Sequence, residues 1–291
     1  MRHWITLAFI AALLACCGKK KNNDENSAKG STDIEQDWKL GVALWTFHTF
    51  NFQDALEKID SSGLTYIEPN TFHSIGPLLN DSLVLQLSPA GLQKVKKLID
   101  DKGLLVESIY IAGDSTVQSW KKQFDIAKAL GVRFVTCEPP VKMWDEINNL
   151  AGQYGMKVAI HEHWKGVSAY WHPDSVLQAI KGHENFGACA DLGHWPKSGI
   201  DPVDAVKKLS GHIIGIHLKD IAAFDDPSLR DVPVGTGVVD FPAIFRELKQ
   251  QGFKGPIYIE RDAEDLPSNL PSVMQTVKYY NQEVEKLKGA E

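Results

Sequence analysis

Four apolar, strand-like runs of the sequence each end in side chains that can bind a metal, namely His161, Asp191, His217 and Glu260. A single histidine at a strand end is more often hydrogen-bonded to the backbone, but four such endings in succession need a common explanation. Buried ionisable groups without partners are costly, and a divalent cation would relieve that cost. Two imidazoles and two carboxylates suit Mn²⁺, Co²⁺ or Zn²⁺, and suit Mg²⁺ less well. The pattern therefore predicts a metal site.

Eight strand-like runs alternate with helical stretches along the chain. The predicted strands lie at residues 41–47, 64–70, 104–113, 132–140, 157–163, 186–195, 213–220 and 256–262. Predicted helices at 52–63, 117–131, 201–211 and 241–252 have apolar residues at three- and four-residue spacing, and a further helix follows the cap Ser88 and ends near Gly103. This alternation predicts an α/β fold, a single-domain (β/α)₈ TIM barrel. A doubly wound open sheet is the alternative, but no glycine-rich phosphate motif follows the first strand.

Side chains alternate between the two faces of a strand, which sorts the polar residues. In KVAIHEH, His161 and His163 share a face with Ala159, opposite Val158 and Ile160, so they should point into the barrel. Glu162 belongs to the outer set, although a break in the pleat could turn it inward.

The same rule predicts that four other sets face inward, at the carboxyl ends of strands where barrel enzymes have their active sites. They are Asp191 with Cys189, His217 and Lys219 with Gly215, Glu260 with Tyr258, and Glu138 with Thr136. Ile214, Ile216 and Leu218 are expected to face outward.

The first residues predict export. A basic start, a short apolar run and Leu13-Leu14-Ala15-Cys16 are typical of a bacterial lipoprotein signal, with Cys16 as the lipidated residue. Cys17 is a weaker candidate, and an ordinary cleaved signal is the alternative. We therefore predict a signal at 1–16, a polar tether at 17–37 and the barrel at 38–291, facing the periplasm or in the outer membrane and held to the membrane only by the lipid.

Composition limits the partners and the role of the cysteines. A formal net charge of −6 and a pI near 5.9 argue against nucleic acid, which binds clustered Lys and Arg. Cys137 and Cys189 lie inside apolar strands and are predicted to be core residues, not a disulfide.

Several motifs resemble the sugar phosphate isomerase/epimerase group of the xylose isomerase-like barrel superfamily. They are ADLGHW at 190–195, IHLKD at 216–220, DVPVGTGVVDF at 231–241 and the IE at 259–260. The resemblance implies metal ligands at the ends of the fifth to eighth strands, and substrate contacts from His194 and Arg230. The epimerases of this group have a glutamate where this chain has His161. The second acid or base would then be Glu138, Glu162 or Lys219.

Such a site would chelate a sugar carbonyl and its neighbouring hydroxyl and stabilise the enediolate formed on deprotonation. Glu260 is the first candidate for the base, with His161 or Glu138 opposite it. His163 and the aromatic Trp45 are candidate substrate contacts. Because export favours unphosphorylated substrates, the sequence predicts a metal-dependent isomerase or epimerase of a free sugar or keto-sugar.

Three alternatives use the same barrel. A lyase could eliminate from a 3-keto-glycoside, because the same enediolate expels a leaving group at the β position. A non-catalytic carbohydrate-binding lipoprotein would need no acid and base. A metal-dependent phosphodiesterase, as in the endonuclease branch of the superfamily, is disfavoured by the acidic chain.

Overall fold

The structure, a computed structural model, describes residues 33–289. Nine parallel strands form one sheet that curls into a nearly closed barrel, in the order β3-β2-β1-β11-β8-β7-β6-β5-β4. The strands are β1 Trp38–Ala43, β2 Tyr66–Glu68, β3 Leu105–Val106, β4 Ser108–Tyr110, β5 Phe134–Cys137, β6 Lys157–Ile160, β7 Phe186–Asp191, β8 Ile213–Leu218 and β11 Gly255–Ile259. Two short strands, β9 Asp220–Ile221 and β10 Asp231–Val232, pair with each other outside the barrel.

Ten helices occur among the described residues, and most of them follow barrel strands. They are α1 Ile34–Asp37, α2 Phe52–Ser62, α3 Pro89–Asp101, α4 Val117–Leu130, α5 Trp144–Tyr154, α6 Pro173–Ile180, α7 His194–Lys197, α8 Pro202–Lys208, α9 Phe241–Gln251 and α10 Leu270–Lys288. Within residues 33–289, no helix is both long and apolar enough to cross a membrane.

Local sequence signals set many of the helix ends. Side chains of Asn51, Ser88, Thr116 and Asp240 accept the amide N–H three residues later, so each caps a helix start. Helix α4 ends at Gly131, whose φ of 78° is the left-handed conformation that glycine adopts without strain.

The predicted (β/α)₈ TIM barrel is confirmed, and all eight predicted strands are present. The third predicted strand is divided at Glu107 into β3, which pairs with β2, and β4, which pairs with β5. This divided run joins the two ends of the sheet. An additional bridge joins Asn70 to Tyr110 beyond the two strands.

Three boundaries differ from the sequence prediction. The first strand ends at Ala43, and residues 44–47 form a 3₁₀ helix that carries Trp45. Strand β6 ends at Ile160, before His161. The predicted tether ended at residue 37, but Ile34 begins α1 and is buried in the core. The predicted signal and Cys16 lie outside the described residues.

The alternation rule separates two apolar layers. The larger core lies between strands and helices, and it contains Val135, Val158 and Ile257 from the outer faces of strands. A smaller cluster of Phe134, Ala159 and Cys189 fills the barrel interior. Cys137 and Cys189 are both free and buried, which agrees with the prediction of core residues.

Ile214 was expected to face the helices, but it packs against the interior cluster. Strands β7 and β8 shift register between Ala188 and Cys189, which breaks the strict alternation next to this residue. The prediction for Ile214 was therefore wrong, while Ile216 and Leu218 belong to the outer core as expected.

Candidate metal centre

Donor atoms from four neighbouring strands converge at the carboxyl end of the barrel. His161 directly follows β6, Asp191 ends β7, His217 lies in β8 and Glu260 directly follows β11. One ligand atom from each residue can be chosen so that all lie within 4.8 Å of one another. His161 Nε2 lies 3.4 Å from Asp191 Oδ2, and His217 Nδ1 lies 3.8 Å from the same oxygen. The four residues predicted from the sequence are thus brought to one point.

The residues of this cluster fit a divalent cation. His161 Nε2, Asp191 Oδ2, His217 Nδ1 and Glu260 Oε2 are all buried, and none makes a hydrogen bond of good geometry among the described residues, although His217 Nδ1 contacts Glu260 Oε2 and Lys219 Nζ lies 3.1 Å from Asp191 Oδ2. Atoms bonded at about 2.1 Å to one ion lie at most about 4.2 Å apart, and the distances of 3.4 Å and 3.8 Å from Asp191 Oδ2 to the two imidazoles satisfy this limit. Buried polar atoms without partners are rare and need an explanation. A metal bound by these four atoms would supply it.

A second group of possible ligands, Glu138 with His161 and His163, lies next to the first. Here the carboxylate already has partners, because its Oε1 contacts His163 Nδ1 and its Oε2 accepts the Ser168 hydroxyl at 2.6 Å. Glu138 Oε1 lies 3.9 Å from His161 Nδ1. Burial would raise the pKa of Glu138, but the neighbouring imidazoles of His161 and His163 outweigh it and hold the pKa below its usual value. Glu138 is therefore a carboxylate beside the four-residue cluster.

Glu68 is the residue of this site that the sequence analysis missed. It ends β2 and is buried, and its Oε2 lies 2.7 Å from His217 Nε2. Its Oε1 accepts the hydroxyls of Ser108 at 2.7 Å and Thr136 at 2.5 Å. A carboxylate on the far nitrogen of a metal-binding histidine fixes the ring orientation and tautomer. The signal was available, since alternation sets Glu68 opposite the apolar Ile67.

Replacing Glu68 by Gln is expected to weaken metal binding by about 10- to 100-fold, the effect usual for such an outer partner. The change keeps the size of the side chain but removes the charge that orients His217. Titration against a chelating competitor measures the affinity. Glu107→Gln is the matched control, because Glu107 instead pairs with Lys39 and Arg133. Equal metal affinity in the two variants would contradict the role given to Glu68.

Lys219 lies behind Asp191, and its side chain is fully buried. Its Nζ lies 3.1 Å from Asp191 Oδ2, 2.9 Å from Asp262 Oδ2 and 3.1 Å from His194 Nε2. Burial would lower the pKa of Lys219, but the negative charges of Asp191, Asp262 and Glu260 raise it well above its usual value. A Cβ at Gly193 would lie 2.5 Å from Lys219 Cγ, so only glycine leaves room for this lysine.

His194 and Glu162 are also packed behind the cluster. Burial holds the pKa of His194 well below its usual value, so the ring is neutral and its Nε2 accepts from Lys219. Glu162 Oε1 accepts the Asp191 N–H at 2.8 Å, and burial raises the pKa of Glu162 well above its usual value. As the alternation rule indicated, Glu162 is not one of the converging ligands. It supports the backbone of Asp191.

A cavity of about 620 Å³ opens directly onto the cluster, and we call it the metal cavity. Of the residues predicted to act on substrate, Glu260, His161, His163, Trp45 and Arg230 line it. His194, Glu138 and Lys219 do not form part of its wall. Aromatic side chains of Phe72, Tyr110 and Trp164 and the buried Lys197 complete much of the wall, and Phe72, Tyr110 and Lys197 were not predicted as site residues.

One carboxylate holds the loop after β10 in place. Asp220 accepts the amide N–H groups of Ile221, Gly235, Gly237 and Val239 at 2.8 to 3.2 Å. A Cβ at Gly237 would lie 2.1 Å from Ile221 O, so the turn requires glycine. The glycine amides of the VPVGTG motif are thus bonded within the protein.

Fold and site together define an α/β barrel whose mouth could hold a metal. The chain belongs to the xylose isomerase-like TIM barrel family, whose sequence profile matches residues 56–288.

Three curated relatives match parts of the chain. An uncharacterised protein, MJ1311, from Methanocaldococcus jannaschii is 31% identical over 49% of this chain and 50% of its own. An inosose dehydratase from Clostridium botulinum is 27% identical over 46% of this chain and 48% of its own. An L-ribulose-5-phosphate 3-epimerase, UlaE, from Escherichia coli is 39% identical over 23% and 24% of the two chains. The chain thus spans about half or less of these relatives.

Solved structures match over far more of the chain. An uncharacterised protein from Parabacteroides distasonis has a TM-score of 0.67 at 33% identity, covering 84% of this chain and 99% of its own. The IOLI protein, solved with a zinc atom, has a TM-score of 0.69 at 19% identity, covering 85% and 98%. An L-ribulose 3-epimerase has a TM-score of 0.66 at 16% identity, covering 86% and 95%. The last two likenesses show the shared fold.

Proposed function

We propose that this protein is a metal-dependent isomerase or epimerase that acts on an unphosphorylated sugar or keto-sugar. The observation that carries the proposal is the convergence of four buried donor atoms next to the metal cavity, which His161, His217 and Glu260 line. The names of relatives, an epimerase and a dehydratase, agree with chemistry at a carbon beside a carbonyl or hydroxyl group. The IOLI structure, which shares the fold, was solved with a bound zinc atom, which agrees with a metal in this protein.

His161, Asp191, His217 and Glu260 would hold the cation. When bound, it would supply Lewis-acid polarisation of a sugar carbonyl and stabilise negative charge next to it. Glu68 orients His217, and Lys219 balances the negative charge of Asp191 from behind. The chain's own groups must then move the proton.

Two groups at the rim are placed to exchange a proton with substrate carbon. Glu260 lines the metal cavity and directs Oε2 at the cluster, while its Oε1 lies 3.9 Å from Lys219 Nζ. His163 also lines the cavity, and its Nδ1 is paired with the Glu138 carboxylate. We assign Glu260 as one acid/base and the His163–Glu138 pair as the other, in place of the glutamate that the family's epimerases have at the His161 position.

The cavity wall fits a carbohydrate. Trp45 and Phe72 present partly exposed aromatic rings, which offer the rigid apolar area on which a ring can stack. Two cations, Lys197 and Arg230, also line the cavity and could pair with an anionic group. Gly235 and Gly237 would be the amide donors for a phosphate, but both already donate to Asp220. The predicted export signal is the further reason to propose an unphosphorylated substrate.

Elimination is the second candidate reaction, and the dehydratase among the relatives favours it. Removal of a proton beside the carbonyl of a 3-keto-glycoside leaves an electron pair that can expel the group at the β position. The His163–Glu138 pair could protonate the departing oxygen. Such a lyase would use the same cluster and the same cavity.

Heavy-water exchange tests the proposal and its rivals. Metal-loaded protein would be incubated in D₂O with free sugars, 3-keto sugars, 3-keto-glycosides and sugar phosphates, then analysed by NMR and mass spectrometry. We expect deuterium at a carbon next to the carbonyl of an unphosphorylated sugar, and none after chelation of the metal. Release of the aglycone would establish the lyase instead. Binding without exchange would leave a carbohydrate-binding protein, and exchange only with phosphates would refute the proposed substrate class.

A further inference from the structure

A second cavity of about 370 Å³ lies beside the metal cavity. The two share the side chains of Trp45, Asn70 and Phe72 as a common wall. The remaining lining of the second cavity comes from residues 48–51 after β1 and from His73, Ser74 and Leu83 after β2. Both connections leave the barrel at the end where the metal cluster lies. A ligand larger than one sugar ring could therefore extend over this wall.

The shared wall has a fixed aromatic surface. Trp45 and Phe72 are 37% and 39% exposed, and their rings meet edge to face with centroids 5.8 Å apart. His48 stacks on Trp45 at 4.4 Å, and Trp45 Nε1 donates to Asp262 Oδ1 at 3.0 Å. These contacts hold the indole without covering it. Exposed aromatic rings held in this way are a feature of surfaces that bind ligands.

Two buried polar atoms of the second cavity lack partners within residues 33–289. They are Asn70 Oδ1 and His73 Nδ1, in side chains of residues only 3% and 5% exposed. The other ring nitrogen of His73 is bonded to Phe50 O at 2.8 Å, which fixes the imidazole. A buried polar atom without a partner costs about 1–3 kcal/mol. Both residues line the second cavity, so a polar ligand there would lie next to side chains whose hydrogen bonding is incomplete.

We propose that the second cavity is a subsite for the second sugar ring of a glycoside whose first ring occupies the metal cavity. This inference rests on the proposed function, because it assumes that a sugar binds at the metal. The volume lies within the roughly 300–1,000 Å³ typical of small-molecule sites. Asn51, Thr49, Ser74, Asn70 and His73 make about half of the lining polar, and the rest is apolar, which suits a sugar ring with its hydroxyls and apolar faces.

The test is a comparison of one-ring and two-ring ligands on the metal-loaded protein. Calorimetry would measure the affinities of glucose, galactose, cellobiose, maltose, lactose and phenyl β-glucoside. Thr49→Trp is the diagnostic variant, because Thr49 is exposed and lines only the second cavity, where an indole would fill the space. Gln118→Trp, on the exposed face of α4 and away from both cavities, is the matched control.

We expect at least one disaccharide to bind about ten-fold more tightly than its component monosaccharides, a difference of about 1.4 kcal/mol. Thr49→Trp should reduce that preference to less than about two-fold and leave monosaccharide affinity unchanged, while Gln118→Trp should preserve it.

Three results would overturn the subsite. They are no measurable binding of any ligand, equal affinity for one and two rings, or a preference that survives Thr49→Trp. Tighter binding of phenyl β-glucoside than of every disaccharide would overturn the assignment to a sugar ring. The affinity ratio does not depend on turnover. A preserved disaccharide preference without deuterium exchange would therefore support the subsite while refuting the proposed reaction.

Discussion

Replacing His161 by Ala is expected to reduce metal affinity by more than about 100-fold, beyond the loss usual for an outer partner, and to abolish turnover. The reason is that Nε2 of this ring is one of the four converging donors. Neither ring nitrogen has a hydrogen-bond partner among the described residues, so the variant loses no hydrogen bond on which folding depends. Elemental analysis of the purified protein and the heavy-water assay would measure the two effects.

Chelation provides the comparison for this variant. Stripping the metal from the wild type should give the same loss of exchange, and adding it back should restore activity to the wild type but not to His161→Ala. His183→Ala is the matched control, because His183 lies among the residues that line a different cavity, near Lys157 and His212. A His161→Ala protein that keeps a full complement of metal would refute the cluster as the metal site.

Replacing Asp231 by Ala is expected to destabilise the protein by about 3–5 kcal/mol, the usual cost of leaving a buried charge without its partner. Arg261 and Asp231 are 2% and 3% exposed, and Arg261 Nε donates to Asp231 Oδ2. Asp231 Oδ1 also accepts the Ala263 N–H at 2.6 Å. At about 2–4 °C per kcal/mol, the melting temperature should fall by roughly 6–20 °C. Calorimetry and urea titration would measure the change.

The control for this prediction is an ion pair on the surface. Lys97 and Asp101 are neighbours on α3 with side chains 73% and 57% exposed, so Asp101→Ala should change stability by less than about 1 kcal/mol. Replacing both Asp231 and Arg261 by apolar residues should restore much of the loss, since no buried charge then remains unpaired. A single Asp231→Ala variant as stable as the control would show that Asp265 and Ser272, 3.2 Å and 2.8 Å from Arg261 Nη1, are sufficient partners for this charge.

Much of the metal centre could be predicted from the sequence because two simple periodicities place its residues. A strand turns alternate side chains inward, and a parallel barrel gathers all carboxyl ends at one mouth, so His161, Asp191, His217 and Glu260 had to come close together. Glu68 satisfies the same two conditions. It was missed because the sequence around Glu68 does not show that this carboxylate pairs with His217.

The walls of the cavities could not be predicted in this way. Phe72, Asn70 and Lys197 lie in connections whose path depends on tertiary contacts and not on any repeat in the sequence. The same is true of Trp45, which was expected just beyond a strand and lies on a 3₁₀ helix. Ile214 shows a related limit, because a register shift between two strands moves a side chain to the other face without any mark in the sequence.

The division of the third barrel strand at Glu107 affects how readily the barrel opens locally. Only two residue pairs join β2 to β3, whereas three to five join every other pair of neighbouring barrel strands. We call the pairing of β2 with β3 the seam. Amide protons along this seam should therefore exchange with solvent before those of the other barrel strands. The Asn70–Tyr110 bridge lies at the upper end of the seam. A ligand bound to Asn70 would stabilise this bridge. Ligand binding at the mouth of the barrel should therefore slow amide proton exchange in the neighbouring strands.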